Sequence, residues 1–123
     1  MDPADPVFLG RLFFSLLLSL VGLLCQCFSL KSVVIPDTVT TITAGAFSGC
    51  IRLSSVICSE GLKNIQPLAF TACPALKDIT LPSSLTSISN SAFPDDCTAT
   101  FHVTKDSEGE KYCMREGFRY VYH

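Results

Sequence analysis

Residues 46–50 read Ala-Phe-Ser-Gly-Cys, and residues 69–73 read Ala-Phe-Thr-Ala-Cys. A looser third version, Ala92-Phe93-Pro94-Asp95-Asp96-Cys97, follows. Ala46, Ala69 and Ala92 keep one 23-residue step, and Phe47, Phe70 and Phe93 share it. So do Ile42, Ile65 and Ile88, and Val39, Leu62 and Leu85. Several apolar positions in common register over three copies are an internal repeat. A period in the range of roughly 20–30 residues means a solenoid, in which each unit buries its apolar side only against its neighbours.

Working outward from this stretch fixes the phase. Cys27, Cys50 and Cys73 share the 23-residue step, and Cys97 lies one residue late. Leu30, Leu53 and Leu76 follow the cysteines, then Val33, Val56 and Ile79, then Ile35, Cys58 and Leu81. Pro36 and Pro82 come next, with Ser59 in the middle copy. One unit thus reads Leu-x-x-Val-x-Ile-Pro-x-x-Val-x-x-Ile-x-x-x-Ala-Phe-x-x-Cys. Residues 30–52 and 53–75 are full copies, and 76–99 form a third with one inserted residue. On this count Val103 is expected in the row of Val33, Val56 and Ile79. Leu53, Val56 and Cys58 are spaced as on a short strand, which stacks about 4.8 Å from its neighbour in a parallel sheet. The phenylalanines then form a ladder, and the alanines stay small where a short helical turn passes close to the sheet.

The pattern resembles the leucine-rich repeat of the BspA-like, or treponemal, class. That class has 23-residue units with Pro after the strand, Ala-Phe in the back segment and Cys three residues after Phe. Here Ile35-Pro36, Ile42, Ala46-Phe47-Ser48-Gly49-Cys50 and Leu53 carry it, with the same order in the next copy. The resemblance covers about residues 27–122. The chain departs from it at Cys58-Ser59 and at Pro94-Asp95-Asp96. The implied fold is a repeat solenoid: a short right-handed leucine-rich-repeat coil with parallel strands on one face and short helical or irregular turns on the other. An N-terminal hydrophobic helix and a C-terminal helix–strand cap complete the expected architecture.

The organisation along the chain follows. Residues 1–27 are a hydrophobic signal or anchor segment, 28–104 the repeats and 105–123 the cap. Arg11 is the only charge in residues 7–25, so the uncharged run covers only positions 12–25. That run falls short of a membrane span of about 20 residues and suits a signal-peptide core better. Two aspartates precede it where positive charge is usual, and Gly22-Leu23-Leu24-Cys25 matches a lipidation site poorly. Three readings stand: an export signal, cleaved or lipidated; an uncleaved membrane anchor; and a buried apolar cap. Leu24 and Cys27 lie one repeat period before Phe47 and Cys50, which favours the cap. Cleavage would bare the first coil, an edge through which two copies could dimerise. At the other end, Ser107 is a helix N-cap, acids follow it, and Gly117 is the stop. Phe118, Tyr120 and Tyr122 then alternate as in a strand.

The residues offer little chemistry. Seven cysteines stand at 25, 27, 50, 58, 73, 97 and 113, four of them at one repeat position. Stacked buried thiols explain that better than disulfides or a metal. The two histidines, His102 and His123, lack an orienting partner in the sequence, and no phosphate loop, zinc signature or nucleophile elbow occurs. No enzyme activity, metal or cofactor is expected. The net charge is −2. Eight basic and nine acidic side chains after residue 27 form no basic stripe, so nucleic acid is not an expected partner.

The informative surface is the open face of the sheet, to which positions 3 and 5 of each strand point. These are Ser32 and Val34, Ser55 and Ile57, Asp78 and Thr80, and His102 and Thr104. The expected function is non-enzymatic protein binding through this face. The family resemblance implies an exported adhesin-like protein of the cell surface or envelope, contacting host, matrix or other cell-surface proteins. The alternative is a structural or regulatory scaffold, cytoplasmic or held at the membrane by residues 7–25.

Overall fold

The computed structural model describes residues 30–123. The expected N-terminal helix and the signal, anchor and cap readings lie outside the described residues. Four strands recur at the repeat period: β1 (Ser32–Ile35), β3 (Ser55–Cys58), β5 (Asp78–Thr80) and β7 (Thr100–Val103). Their inward residues are Val33 and Ile35, Val56 and Cys58, Ile79 and Leu81, and Phe101 and Val103, all buried. The residues between them, Val34, Ile57, Thr80 and His102, face out, so alternation along each strand sets the two faces. All pairings are parallel, with Val33, Val56 and Ile79 in one row.

A second parallel sheet closes the other side of each coil. It contains β2 (Thr41–Ile42), β4 (Asn64–Ile65) and β6 (Ser87–Ile88), in that order. Two residues per coil carry too little alternation for a strand pattern to be visible in the sequence. Ile42, Ile65 and Ile88 point inward to meet the first sheet. The chain is therefore a parallel-stranded coil with its core between the two sheets.

The Ala-Phe segments are hydrogen-bonded turns, not helical turns. Phe47 N–H donates to Ala69 O, and Phe70 N–H to Ala92 O, both at 2.8 Å. Alanine suits the site because neighbouring backbones bond directly there. The rings stack as the repeat requires: Phe47 and Phe70 are 5.1 Å apart and 5° from parallel, Phe70 and Phe93 4.8 Å and 2°. Each coil also bonds to the one before it through side chains. Lys31 O accepts from Ser54 N–H at 2.8 Å and Ser54 Oγ at 3.1 Å, and Lys63 O from Thr86 N–H at 2.9 Å and Thr86 Oγ1 at 3.0 Å. The Glu60 carboxylate accepts from the Ser83 N–H and hydroxyl and from the Ser84 N–H, at 2.9–3.1 Å. Those bonds, the one from Ser83 N–H foremost, hold it below the ordinary carboxylate range.

The last coil corrects the sequence register. Ile79 pairs with Phe101, so Phe101 and not Val103 continues the row of Val33, Val56 and Ile79. The extra residue before Cys97 is outweighed by two fewer after it, so the step from Ile79 to Phe101 is one shorter than the repeat. The large ring at 101 explains the shortening. Ala99 and Phe101 fill the space that Leu76 and Ile79 fill one coil earlier. Phe101 meets Phe93 edge-on at 5.0 Å and 82°, which ends the parallel ring stack.

Helix α1 (Glu108–Glu116) and strand β8 (Arg119–Tyr122) follow. The Ser107 hydroxyl accepts from Glu110 N–H at 3.3 Å, and Gly117 adopts φ 78° while its N–H donates to Cys113 O. Both ends of the helix are thus capped as the sequence reading expects. Tyr112 and Cys113 are buried against the coil, and Phe118 stacks on Phe101 at 5.3 Å. β8 is parallel to β7 and completes a five-stranded sheet in the order β1-β3-β5-β7-β8. The Glu110 carboxylate fastens the cap, accepting from Asp106 N–H at 2.8 Å and from the Tyr122 hydroxyl.

Candidate functional site

The outward side chains of the five-stranded sheet form two rows. One runs Ser32, Ser55, Asp78, Thr100, Arg119, and the other Val34, Ile57, Thr80, His102, Val121. All but one of the residues expected on this face from the sequence are therefore brought together. The exception is Thr104: it follows the end of β7, and Thr100 takes its place because the strand register is set by Phe101. Arg119 and Val121 are additions that the sequence reading missed. The signal for them was present, since a strand, a capped helix and a second strand in close succession make a crossover, which joins parallel strands.

Each row has its own chemistry. The first is hydroxylic, with one carboxylate and one guanidinium. The second is apolar at its ends. Ile57 is 45% exposed and Val121 44%, both high for residues of their type. At the centre, His102 Nε2 and Asp78 Oδ1 are 3.0 Å apart. This contact crosses between neighbouring strands and rows, and it gives His102 a carboxylate partner that the sequence did not reveal. Both groups stand on an open surface, where their contact ties β5 to β7.

A groove of about 450 Å³ lies elsewhere, at the turns that lead into the strands. Ile51, Cys73, Pro74, Leu76, Pro94 and Cys97 line much of it. It opens beside the residue inserted before Cys97. The thiols follow their surroundings. Cys50, Cys58, Cys73 and Cys113 are buried, Cys97 is half-buried, and none is in a disulfide. Burial pushes Cys58 and Cys113 up to about 12 and Cys73 to about 11. Cys73 Sγ donates to Phe47 O at 3.1 Å. These are structural thiols and poor nucleophiles. Among the described residues no three His, Cys, Asp or Glu side chains are grouped to hold a metal ion.

Parallel strands at a 23-residue period, the Ala-Phe ladder and the cysteine row define the repeat class. The family described as BspA type leucine rich repeat region (6 copies) matches residues 22–112, well over half of the chain. The chain belongs to the BspA-type leucine-rich-repeat family. No curated protein and no solved structure matches it. Leucine-rich repeats of this type mediate protein–protein contacts and are typically non-catalytic, and BspA-type repeats are commonly surface-associated. In this BspA-type coil no helix among the described residues is long and apolar enough to cross a membrane.

Proposed function

We propose that this chain is a non-enzymatic protein-binding module of the cell surface or envelope, which engages its partner through the open face of the five-stranded sheet. The single observation that carries this reading is the exposure of Ile57 and Val121 on a face whose remaining side chains are mostly small or hydroxylic. Covering its exposed apolar side chains is favourable, and its hydroxyls can pair with a partner's polar groups. Five strands offer a platform near the lower end of stable interfaces, which suits adhesion by many weak contacts. Partners of this kind are host, matrix or other cell-surface proteins.

The test joins location to contact. The protein recovered from its own cells is analysed for intact mass and N-terminal residue. A chain that begins near Cys25–Phe28, bare or lipidated, supports export. One that retains Arg11 and the apolar run favours the anchored scaffold. In parallel, the parent and a variant with Ser55, Ile57, Asp78 and Thr80 all changed to Ala are crosslinked to whole-cell surfaces. Partners captured by the parent and lost by the variant support the open face. Equal capture by both refutes it.

A further inference from the structure

The far edge of β8 has a property that follows from its backbone. His123 N–H donates to Val103 O at 3.1 Å. Along a strand, successive amides point to opposite sides. The amides of Arg119 and Val121 therefore point toward β7 with that of His123, and those of Tyr120 and Tyr122 point away from the sheet. Among the described residues no strand pairs with this outer edge. The edge is short and carries one charge, Arg119, but Arg119-Tyr120-Val121-Tyr122 has no proline, lysine or bulge, and all but Arg119 are strong strand formers.

We propose that β8 pairs antiparallel with β8 of a second copy of this chain, about a two-fold axis through Val121. The spacing is self-complementary. With Val121 facing its own counterpart, Tyr120 faces Tyr122 of the second copy and Tyr122 faces its Tyr120. The outward N–H and C=O of those residues then satisfy each other in both directions, as two hydrogen-bonded antiparallel pairs. The tyrosines, of which Tyr122 is 55% exposed, meet as cross-strand aromatic pairs. Charge agrees with this register: Arg119 lies opposite His123 of the second copy, so no like charges face each other when histidine is neutral. Because the axis is perpendicular to the sheet, the two open faces stay on one side and join at the exposed Val121 pair. A four-residue edge limits the contact, so the dimer is weak and concentration-dependent.

Sedimentation equilibrium of the full chain tests this over a wide concentration range. A reversible monomer–dimer equilibrium is expected. Val121→Lys, which sets two ammonium groups beside two Arg119 side chains across the axis, is expected to raise the dissociation constant roughly tenfold or more. Val121→Cys is expected to yield a covalent dimer on mild oxidation, with the crosslink mapped to position 121 in both chains. The parent, and Ser55→Cys on the same face but away from the axis, stay uncrosslinked under that treatment. A chain that remains monomeric at every concentration overturns the proposal. So does a dimer indifferent to Val121→Lys, or one in which Ser55→Cys crosslinks as readily as Val121→Cys.

Discussion

Replacing Phe70 by Ala tests the coil at its centre. The ring is fully buried and is stacked on both sides, by Phe47 at 5.1 Å and Phe93 at 4.8 Å. Truncating a buried phenylalanine costs about 3–5 kcal/mol in transfer and cavity energy. The two ring contacts, each worth about 0.5–1.5 kcal/mol, put the change toward the upper part of that range. The coil cannot collapse to fill the gap, because backbone bonds from Phe47 to Ala69 and from Phe70 to Ala92 fix its spacing. A domain of this size has about 5–15 kcal/mol in all. At about 4–8 °C per kcal/mol, Phe70→Ala should lower the melting temperature by roughly 16–40 °C. Phe70→Leu keeps most of the volume and loses the stacking, so it should cost only about 1–2 kcal/mol. Thermal unfolding followed by circular dichroism at fixed concentration reads both. A Phe70→Ala protein melting within about 2 °C of the parent, or a Leu variant indistinguishable from the parent, would refute the ladder as a source of stability.

Other perturbations reach different parts of the coil. A Cβ at Gly61 would stand 2.4 Å from Asp37 O at φ +113°, so Gly61→Ala should lose about 2–4 kcal/mol, read as a lower urea midpoint. The reverse holds at a later turn of the same coil: Ala72 has φ 56° where the preceding coil has Gly49 at φ 81°. Ala72→Gly should therefore raise the urea midpoint, by about 0.5–1 kcal/mol, against the usual direction of such a change. Glu60 has a carboxyl pKa lowered below its ordinary 4.5 in the folded chain, so its clasp contributes above pH 4.5 and is lost as pH falls through the folded value. The group is solvent-exposed, so the difference in urea midpoint between parent and Glu60→Gln should be small at pH 7, under about 1 kcal/mol, and vanish once the pH is below the folded value. Finally, peptide mapping of alkylation at pH 8 should find Cys97 modified before Cys50, Cys58, Cys73 and Cys113, and equal rates at Cys58 would contradict the burial described.

The repeat was legible because every buried row is a row of identical or similar apolar residues at one spacing. Phe47, Phe70 and Phe93 must match for their rings to stack, so packing wrote the period directly into the sequence. The helix at 108–116 was legible for a local reason, since Ser107 and Gly117 each answer unpaired backbone groups at its ends. The last strand was misread where two spacing signals disagree. Cys97 suggests a longer coil, whereas Phe101 closes a shorter one, and only the volume available at the end of the stack decides between them. The second sheet escaped notice because Thr41, Asn64 and Ser87 share no strand preference, and neighbouring backbones rather than side chains hold it. As for the open face, its two rows followed from alternation alone. Thr100, Arg119 and Val121 depended on tertiary register, and the Asp78–His102 contact on two residues a whole coil apart.

The turned ring of Phe101 has a consequence for the history of such chains. One more repeat unit, duplicated between Leu53 and Leu76, would meet, above and below, the surfaces that the present coils already offer. The same unit inserted after Phe93 would have to lay a flat ring where Phe101 now stands on edge at 82°. Growth by duplication is thus open at the middle of the coil and closed at its C-terminal end. Lengthened descendants should differ in their interior units and keep Phe101, the helix and the final strand as an unaltered block.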